Sequence, residues 1–359
     1  MSQEKKTLRG QTSWGQSAVR WLWRKSYHAP LSERGLAASQ EKLVRWASLS
    51  KPLEGQSPAK SRKTYRLLDQ LFSLDLLPVA QVTDHPVDVE GGVISARSYR
   101  TAAALQKSNN KGLVYYHGGG CVIGDLETHD RFCRQIAVMT DMVVISIDYR
   151  LAPEYRYPTQ ILDAIAGWNW ALSHACELGV DTARLGVGGD SAGGYLAASV
   201  CQQAAASTLP QPVESMPRFQ WLVYPWLDCR MVSESSRRCT EAMLLTRHTM
   251  AYFIDHMLGG ENTAASEQAL DHTVSPLLTP VLDSMPPAYI AIAGFDPLES
   301  EGKDYARRLR AAGCAVEEDF FPEVMHGFIG LSGTCFHART RSEQMISQLE
   351  MLSTHVDSV

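Results

Sequence analysis

Short apolar runs separated by polar turns dominate the chain from about residue 86 onwards. Most of these runs are nearly continuous in apolar residues, which is typical of strands covered on both faces of a parallel sheet. Stretches with the composition of helices lie between most of them, notably residues 161–176, 195–206 and 301–312. The alternation predicts an α/β fold with a mostly parallel central sheet flanked by helices. The predicted strands are residues 113–116, 142–147, 184–188, 219–224, 288–293 and 316–321, preceded by a hairpin at 87–99.

Two regions interrupt this alternation, and we interpret both as parts of a helical cap. Residues 1–80 have an irregular, helix-rich pattern, and the stretch after the 219–224 strand combines polar loops with a helix at 247–257. A chain of 359 residues also exceeds the usual size of a single domain, so an accessory element is expected. The predicted division is an N-terminal cap segment at 1–85, a first core part at 86–225, a second cap segment at 226–272 and a second core part at 273–359.

The composition is that of a globular protein, with 45% hydrophobic and 20% charged residues. The net charge of −5 gives no reason to expect a nucleic-acid partner. The charge is unevenly distributed, since residues 1–80 hold 14 Lys/Arg and 6 Asp/Glu while the rest holds 20 and 33. This asymmetry predicts a basic N-terminal element that lies on an acidic body.

A basic segment rich in tryptophan, residues 17–25, allows two interpretations. It could be an interfacial helix that touches lipid or an apolar substrate. It could also be a helix that packs its aromatic side on the body of the protein, and we favour this second interpretation because the segment is short.

Cysteine usage and the N-terminal sequence bear on the location of the protein. The eight cysteines are scattered singly without a C-x-x-C pair, which favours reduced thiols over a disulfide framework or a zinc site. The N-terminus has no apolar signal core, and no run of about 18 apolar residues is present. We therefore expect a cytoplasmic protein without stable membrane insertion.

Residues 188–194 read Gly-Gly-Asp-Ser-Ala-Gly-Gly and lie between a predicted strand and a predicted helix. In this context G-x-S-x-G predicts a sharp turn that presents Ser191 as a nucleophile. The glycines allow strand and helix to approach closely, and the helix N-terminus directs backbone N–H groups toward the serine. The alternative interpretation is a glycine-rich turn with an ordinary helix-capping serine.

Residues 117–120 read His-Gly-Gly-Gly and directly follow the strand at 113–116. Consecutive glycines let bare N–H groups approach the negatively charged oxygen of a tetrahedral intermediate. The alternative is a plain glycine-rich turn, which the presence of the serine motif in the same chain makes the weaker interpretation.

With these two motifs the sequence resembles the hormone-sensitive-lipase-like family of α/β-hydrolase carboxylesterases, and within it the bacterial acetyl esterases. Further matches follow in the family's order: Asp-Tyr-Arg-Leu-Ala-Pro-Glu at 148–154, Ser-Pro-Leu at 275–277, Gly-Phe-Asp-Pro-Leu at 294–298 and His-Gly-Phe at 326–328. The resemblance extends over residues 86–359. It implies an α/β-hydrolase core with a helical cap, a small-molecule ester substrate, no cofactor, no metal and a possible homodimer.

The resemblance also assigns roles to residues. It implies Asp296 as the acid and His326 as the base of a catalytic triad with Ser191, and it implies an oxyanion hole. The positions agree with the fold, because Asp296 follows an apolar strand and His326 follows the last one, in the order that this fold requires. Asp296 as a helix cap and His326 as a loop histidine are the alternatives. The implied oxyanion donors are the N–H groups of Gly118, Gly119, Gly120 and Ala192, with His117 and Asp190 as supporting residues of the two motifs.

Other polar residues are assigned less direct roles. His129 and Asp130 are interpreted as the start of a helix, since no third residue is spaced for a metal ion. Asp190 is expected to orient neighbouring loops, and Glu154 and Asp163 to form structural salt bridges.

The predicted reaction is hydrolysis of short- to medium-chain acyl esters through an acyl-enzyme on Ser191. One alternative is an amide or formamide hydrolase that uses the same triad, because pocket shape and leaving-group protonation decide between the two. The other alternative is a non-catalytic binding or interaction protein on a hydrolase fold.

Overall fold

A computed structural model describes residues 35–47, 52–239, 244–280 and 282–355. The tryptophan-rich segment at 17–25, with its two interpretations, lies outside these residues. Within them no helix is both long and apolar enough to cross a lipid bilayer.

Eight strands form one sheet in the order β1-β2-β4-β3-β5-β6-β7-β8. The first two pairings, β1 with β2 and β2 with β4, are antiparallel, and all the others are parallel. The predicted α/β fold with a mostly parallel sheet is therefore confirmed. The strands are β1 Gln81–Val89, β2 Gly92–Arg100, β3 Asn110–Tyr116, β4 Val143–Asp148, β5 Val180–Asp190, β6 Gln220–Val223, β7 Ala288–Phe295 and β8 Val316–Met325.

Helices cover both faces of this sheet, and two buried apolar clusters separate them from it. The described α-helices are α1 Ala38–Ala47, α2 Pro58–Phe72, α3 Ala102–Leu105, α4 Leu126–Thr140, α5 Thr159–Ser173, α6 Ala175–Leu178, α7 Ala192–Ala205, α8 Glu234–Arg238, α9 Arg247–Leu258, α10 Glu299–Ala311 and α11 Phe336–His355. The first cluster includes apolar residues of α5, α7 and α10, and the second includes those of α4 and α11. The central strands are buried on both sides, which explains their continuous apolar runs.

The helix after the nucleophile, α7, approaches the centre of the sheet unusually closely. Its first two turns are rich in glycine and alanine and are fully buried. A Cβ added to Gly193 would overlap the backbone carbonyl of Tyr116 at the end of β3. The small residues therefore bring the N-terminus of α7 against the carboxyl ends of β3 and β5, where ligands bind in open α/β sheets.

Both predicted cap segments contact the core near these strand ends. In α2, Arg62 donates through Nε to the Val122 carbonyl at 2.8 Å and pairs with Glu154 at 2.6 Å. The two segments also contact each other, because the Thr249 hydroxyl of α9 donates to Glu54 Oε2 at 3.0 Å. The division into cap and core stays a prediction, but its boundary at residue 85 falls inside β1, so the sheet begins at Gln81.

Candidate active site

The nucleophile corner, residues 189–193, joins β5 to α7. Ser191 has φ 55° and ψ −117°, which is a strained conformation for a residue with a side chain. Its N–H donates to the Val223 carbonyl at 2.9 Å, and its own carbonyl accepts from the Trp226 N–H at 3.1 Å. These two bonds, one to the end of β6 and one to the loop that follows it, hold the turn in place. The hydroxyl is thereby presented above the sheet in the manner of a nucleophile elbow.

The three predicted triad residues meet at this corner. His326 Nε2 lies 2.8 Å from Ser191 Oγ, and His326 Nδ1 lies 2.7 Å from Asp296 Oδ2. They come from the ends of β5, β7 and β8, which are far apart in sequence. Asp296 is completely buried, and its second oxygen, Oδ1, accepts the Leu298 N–H at 2.8 Å.

This arrangement selects the tautomer of the histidine. The Asp296 carboxylate only accepts hydrogen bonds, so the proton of a neutral imidazole stays on Nδ1. Nε2 of His326 is then left to accept the hydrogen of the Ser191 hydroxyl. The geometry is that of a serine nucleophile with a general base that a buried acid orients.

The oxyanion loop, residues 117–120, follows β3 and lies against the nucleophile corner. Gly119 has φ +119° and Gly120 has φ +61°, and a Cβ on Gly119 would overlap the Ile123 carbonyl. The N–H groups of Gly119, Gly120 and Ala192 donate to no other group in the described ranges of the chain. They can therefore serve the oxyanion of a bound intermediate.

Gly118 differs from the prediction. Its N–H donates to Asp190 Oδ1 at 2.8 Å, so it is committed to a buried carboxylate and is not available to an oxyanion. A carboxylate from the neighbouring strand fills the space beside this glycine, and a Cβ there would overlap Asp190. Of the four predicted donors, Gly118 is therefore removed, and Gly119, Gly120 and Ala192 remain as candidates.

His117 supports the loop from behind. Its ring stacks on Tyr149 with 4.3 Å between centroids, and the Tyr149 hydroxyl donates to the His117 carbonyl at 2.8 Å. Burial lowers the pKa of His117 to about 4, so the ring is neutral near pH 7. Its Nδ1 then donates to the Gly118 carbonyl at 2.7 Å. These bonds fix the peptide groups that precede the free donors.

Three residues that contact the loop or Asp190 have no role at this site implied by the sequence motifs. Tyr115 donates its hydroxyl to Asp190 at 2.6 Å, Tyr149 holds the loop as described, and His129 lies 3.4 Å from Asp190. Tyr115 had the appearance of an ordinary strand residue. The predicted helix start at His129 is observed inside the first turn of α4. Only its packing against the end of β5 reveals the contact with Asp190.

Aromatic side chains line the site. Tyr224 follows β6 with φ 36°, and its ring centroid lies 4.6 Å from that of His326. Phe253 of α9 is buried against Gly120 of the oxyanion loop. Within the described part of the chain, no three His, Cys, Asp or Glu residues are grouped so that they could hold a metal ion.

The chain is similar in sequence to known ester hydrolases. The sequence pattern of the α/β hydrolase fold family matches residues 113–330. The chain is 40% identical over 273 residues to the carboxylic ester hydrolase LipN of Mycobacterium tuberculosis, with 75% of this chain and 69% of LipN covered. It is 35% identical over 267 residues to an ethyl acetate hydrolase of Pseudomonas putida, with 74% and 80% covered.

A solved structure is similar over nearly the whole fold. The ester hydrolase EH1AB1 from the metagenome of Lake Arreo superimposes with a TM-score of 0.81 at 33% identity, covering 89% of this chain and 99% of that one. Family pattern, relatives and fold thus agree with the motifs at 117–120 and 188–194. The chain belongs to the hormone-sensitive-lipase-like family of carboxylic ester hydrolases with the α/β hydrolase fold.

Proposed function

We propose that this chain is a serine carboxylesterase that hydrolyses short- to medium-chain acyl esters through an acyl-enzyme on Ser191. The observation that carries the proposal is the hydrogen-bonded sequence from Asp296 through His326 to the Ser191 hydroxyl, with contacts of 2.7 and 2.8 Å. A binding protein on this fold has no need of such a chain of contacts next to free backbone donors.

In the acylation half of the reaction, His326 Nε2 takes the proton of Ser191 as Oγ attacks the ester carbonyl. The carbonyl oxygen becomes negatively charged and accepts hydrogen bonds from Gly119, Gly120 and Ala192. Loss of one such donor typically costs about 3–4 kcal/mol of transition-state stabilisation. The imidazolium, held by Asp296, then protonates the leaving alcohol.

In the deacylation half, a water molecule takes the place of the alcohol. His326 removes a proton from the water, which attacks the acyl carbonyl on Ser191. The same three N–H groups stabilise the second oxyanion. Collapse of this intermediate returns the proton to Ser191 Oγ and releases the carboxylic acid, so the reaction needs only water as a second substrate.

The chain-length preference is supported by the cap. Phe253 of α9 closes over the oxyanion loop at Gly120, which leaves less room beside the reacting carbonyl than an open groove would. The related ethyl acetate hydrolase is named for an ester with a two-carbon acyl group. We therefore expect acyl groups of up to roughly eight carbons to be preferred over long-chain acyl groups, since each extra buried methylene needs its own apolar contacts.

The test is the turnover of p-nitrophenyl esters with acetyl, butyryl, octanoyl and palmitoyl groups. Ser191→Ala should lower kcat by more than about a thousandfold, because triad members act as a unit. Ser199→Ala is a matched control, since Ser199 lies in α7, the helix that Ser191 precedes, and its buried hydroxyl has no hydrogen-bond partner within the described residues. It should keep the parental kcat.

The outcomes separate the alternatives. Residual activity of several per cent in Ser191→Ala would contradict the nucleophile assignment, and faster turnover of palmitate than of butyrate would contradict the chain-length proposal. Parallel assays with p-nitroanilides of the same acids address amide hydrolysis. A kcat/KM for the butyryl anilide that equals that for the ester would favour the amidase alternative.

A further inference from the structure

The carboxylate of Asp190 lies buried beneath the oxyanion loop and gathers three polar groups. Its Oδ1 accepts the Tyr115 hydroxyl at 2.6 Å and the Gly118 N–H at 2.8 Å. The Nε2 atom of His129 lies 3.4 Å from the same oxygen. Asp190 is 3% exposed and His129 is 2% exposed, so solvent does not compete for these contacts.

Through these contacts Asp190 links the nucleophile corner to the oxyanion loop. Asp190 directly precedes Ser191, whose backbone is fixed by bonds to Val223 and Trp226. The side chain of Asp190 therefore connects the nucleophile corner to Gly118, which directly precedes the free donors of Gly119 and Gly120. Loss of this contact is therefore expected to change the distance between Ser191 Oγ and the free N–H groups of the loop.

His129 is the third group at the Asp190 carboxylate, and the two side chains form a buried pair. Burial alone would lower the pKa of His129, but the neighbouring Asp190, followed by Asp69 and Asp125, raises it overall. Burial alone would raise the pKa of Asp190, but His129, the Tyr115 hydroxyl and the Gly118 N–H lower it overall. His129 Nδ1 is also placed by the Thr128 hydroxyl at 3.0 Å.

We propose that Asp190 and His129 are positioning residues for ester hydrolysis: Asp190 connects the oxyanion loop to the nucleophile corner, and His129, 3.4 Å from the same carboxylate oxygen, holds that carboxylate in its orientation. The inference rests on the proposed function and deepens it. It assigns no contact with the substrate to either residue. The two residues should stabilise the transition state and not the bound substrate, because the carbonyl oxygen becomes negatively charged only in the transition state.

The first experiment compares Asp190→Ala and Asp190→Asn with the parent protein. Alanine removes the acceptor for Gly118, and we expect kcat to fall by about 10²–10³-fold, as for the loss of an oxyanion donor, with KM changed by less than about threefold. Asparagine still offers an oxygen to Gly118 and Tyr115, so it should recover kcat to within about tenfold of the parent.

A matched control comes from the other end of the sheet. Asp319 on β8 also accepts a tyrosine hydroxyl from the neighbouring strand, Tyr289 at 2.8 Å, but lies away from the nucleophile corner. Asp319→Ala should lower the melting temperature and keep the parental kcat. A loss of kcat in Asp319→Ala equal to that in Asp190→Ala would overturn the positioning role, because the loss of any carboxylate that accepts a tyrosine hydroxyl would then have the same effect.

The second experiment measures inhibitor affinity, which reports on the oxyanion hole without any turnover of substrate. Ser191 Oγ adds to the carbonyl carbon of an alkyl trifluoromethyl ketone, its proton passes to His326, and the carbonyl oxygen of the adduct becomes an oxyanion. The affinity for this ketone should fall in Asp190→Ala by the same factor as kcat. The affinity for the corresponding methyl ketone, which remains an uncharged ground-state ligand, should stay within about threefold of the parental value.

His129 is tested by a pair of variants that leaves Asp190 in place, which also decides the matter if Asp190→Ala does not fold. His129→Gln keeps a donor toward Asp190 and should retain kcat within about tenfold, whereas His129→Leu should lose more than about tenfold. Equal kcat values in His129→Gln and His129→Leu would overturn the role of His129.

The failure of the inference is distinguishable from the failure of the proposed function. A parent protein that hydrolyses esters, together with an inactive Ser191→Ala and a fully active Asp190→Ala, would overturn the inference alone. A parent that hydrolyses no ester would contradict the proposed function. The trifluoromethyl ketone would still decide the inference in that case, because weaker binding to Asp190→Ala supports it and unchanged binding overturns it.

Discussion

The ring of Phe253 occupies the position where any side chain on Gly120 would have to lie. Phe253 is 4% exposed and belongs to α9 in the second predicted cap segment, whereas Gly120 is the last residue of the oxyanion loop. A Cβ on Gly120 would overlap the ring, and Gly120 also has φ +61°. Helix α9 is therefore in direct contact with the loop that holds the proposed oxyanion donors, and changes on either side of this contact should affect the reaction.

Gly120→Ala should lower both the stability and kcat. The added methyl group meets the Phe253 ring, and the positive φ adds a strain of about 1 kcal/mol. Gly313→Ala is the matched control, because Gly313 has φ +86° but no atom within 4 Å of an added Cβ. Melting temperature and kcat should both fall further for Gly120→Ala. Equal effects of the two variants on both quantities would show that the Phe253 contact does not matter.

Phe253→Ala should move the acyl-chain preference toward longer acids. Removal of the ring opens space next to the oxyanion loop, and four further methylenes that find apolar contacts there are worth about 3 kcal/mol. We expect the ratio of kcat/KM for the octanoyl ester to that for the butyryl ester to rise by about tenfold or more. Phe320→Ala, which removes an exposed ring on β8, should leave the ratio unchanged. An unchanged ratio in Phe253→Ala would place the acyl chain elsewhere.

Asp296→Asn should be nearly as damaging as loss of the nucleophile, for a reason that the structure specifies. Oδ1 of Asp296 accepts the Leu298 N–H, so the amide oxygen of asparagine stays there and its NH₂ group turns toward His326 Nδ1. Nδ1 must then accept, and the imidazole proton moves to Nε2, where it blocks proton transfer from Ser191. In the Ser-His-Asp template this exchange lowers kcat by about 10⁴-fold.

Steady-state kinetics with a butyryl ester would check this prediction, with Asp319→Asn as the control. A kcat within about tenfold of the parent in Asp296→Asn would mean that His326 does not depend on Asp296 for its tautomer.

The family resemblance, carried by short motifs, assigned Ser191, Asp296 and His326 to a triad, and the structure brings their side chains into hydrogen-bond contact. These residues directly follow β5, β7 and β8, and the topology of a parallel sheet brings such positions to one edge. The fold class could be predicted from local patterns alone, since the buried central strands have continuous apolar runs.

The role of Gly118 could not be predicted in this way. Its N–H is used by Asp190, 72 residues later in the chain, and no local pattern reveals which glycine of His-Gly-Gly-Gly donates to a carboxylate. The contact of His129 with Asp190 was hidden for the same reason. The start of the sheet was missed because β1 is a partly exposed antiparallel edge strand with polar residues and a proline, Pro86, and such a strand has no apolar run.

Asp148, at the end of β4, gives a prediction for stability as a function of pH. Burial, together with the negative charge of Asp125, raises the pKa of Asp148 from 3.8 to about 6, against the opposing effects of the Leu126 N–H and of Arg97 and Arg66. The folded state therefore prefers a neutral Asp148. The stabilisation of the folded state by neutral Asp148 is fully present below pH 4 and is lost as the pH rises through about 6.

Asp148→Asn mimics the neutral form at every pH, so the free energy of unfolding of the variant relative to the parent should rise between pH 4 and pH 7. The difference of about two pKa units corresponds to at most about 3 kcal/mol.

Asp84 offers an internal control of opposite sign, because its hydrogen bond with Arg97 lowers the pKa of Asp84. The contribution of Asp84 is present above its unfolded pKa and lost in acid, so Asp84→Asn should become less stable than the parent as the pH rises from acid toward neutrality. Urea unfolding at a series of pH values measures both differences. If the stability differences of both variants change with pH in the same direction, net charge and not the local environment of each carboxylate governs the pH dependence of stability. If the stability difference for Asp148→Asn does not change with pH, Asp148 ionises in the folded protein as readily as in the unfolded chain.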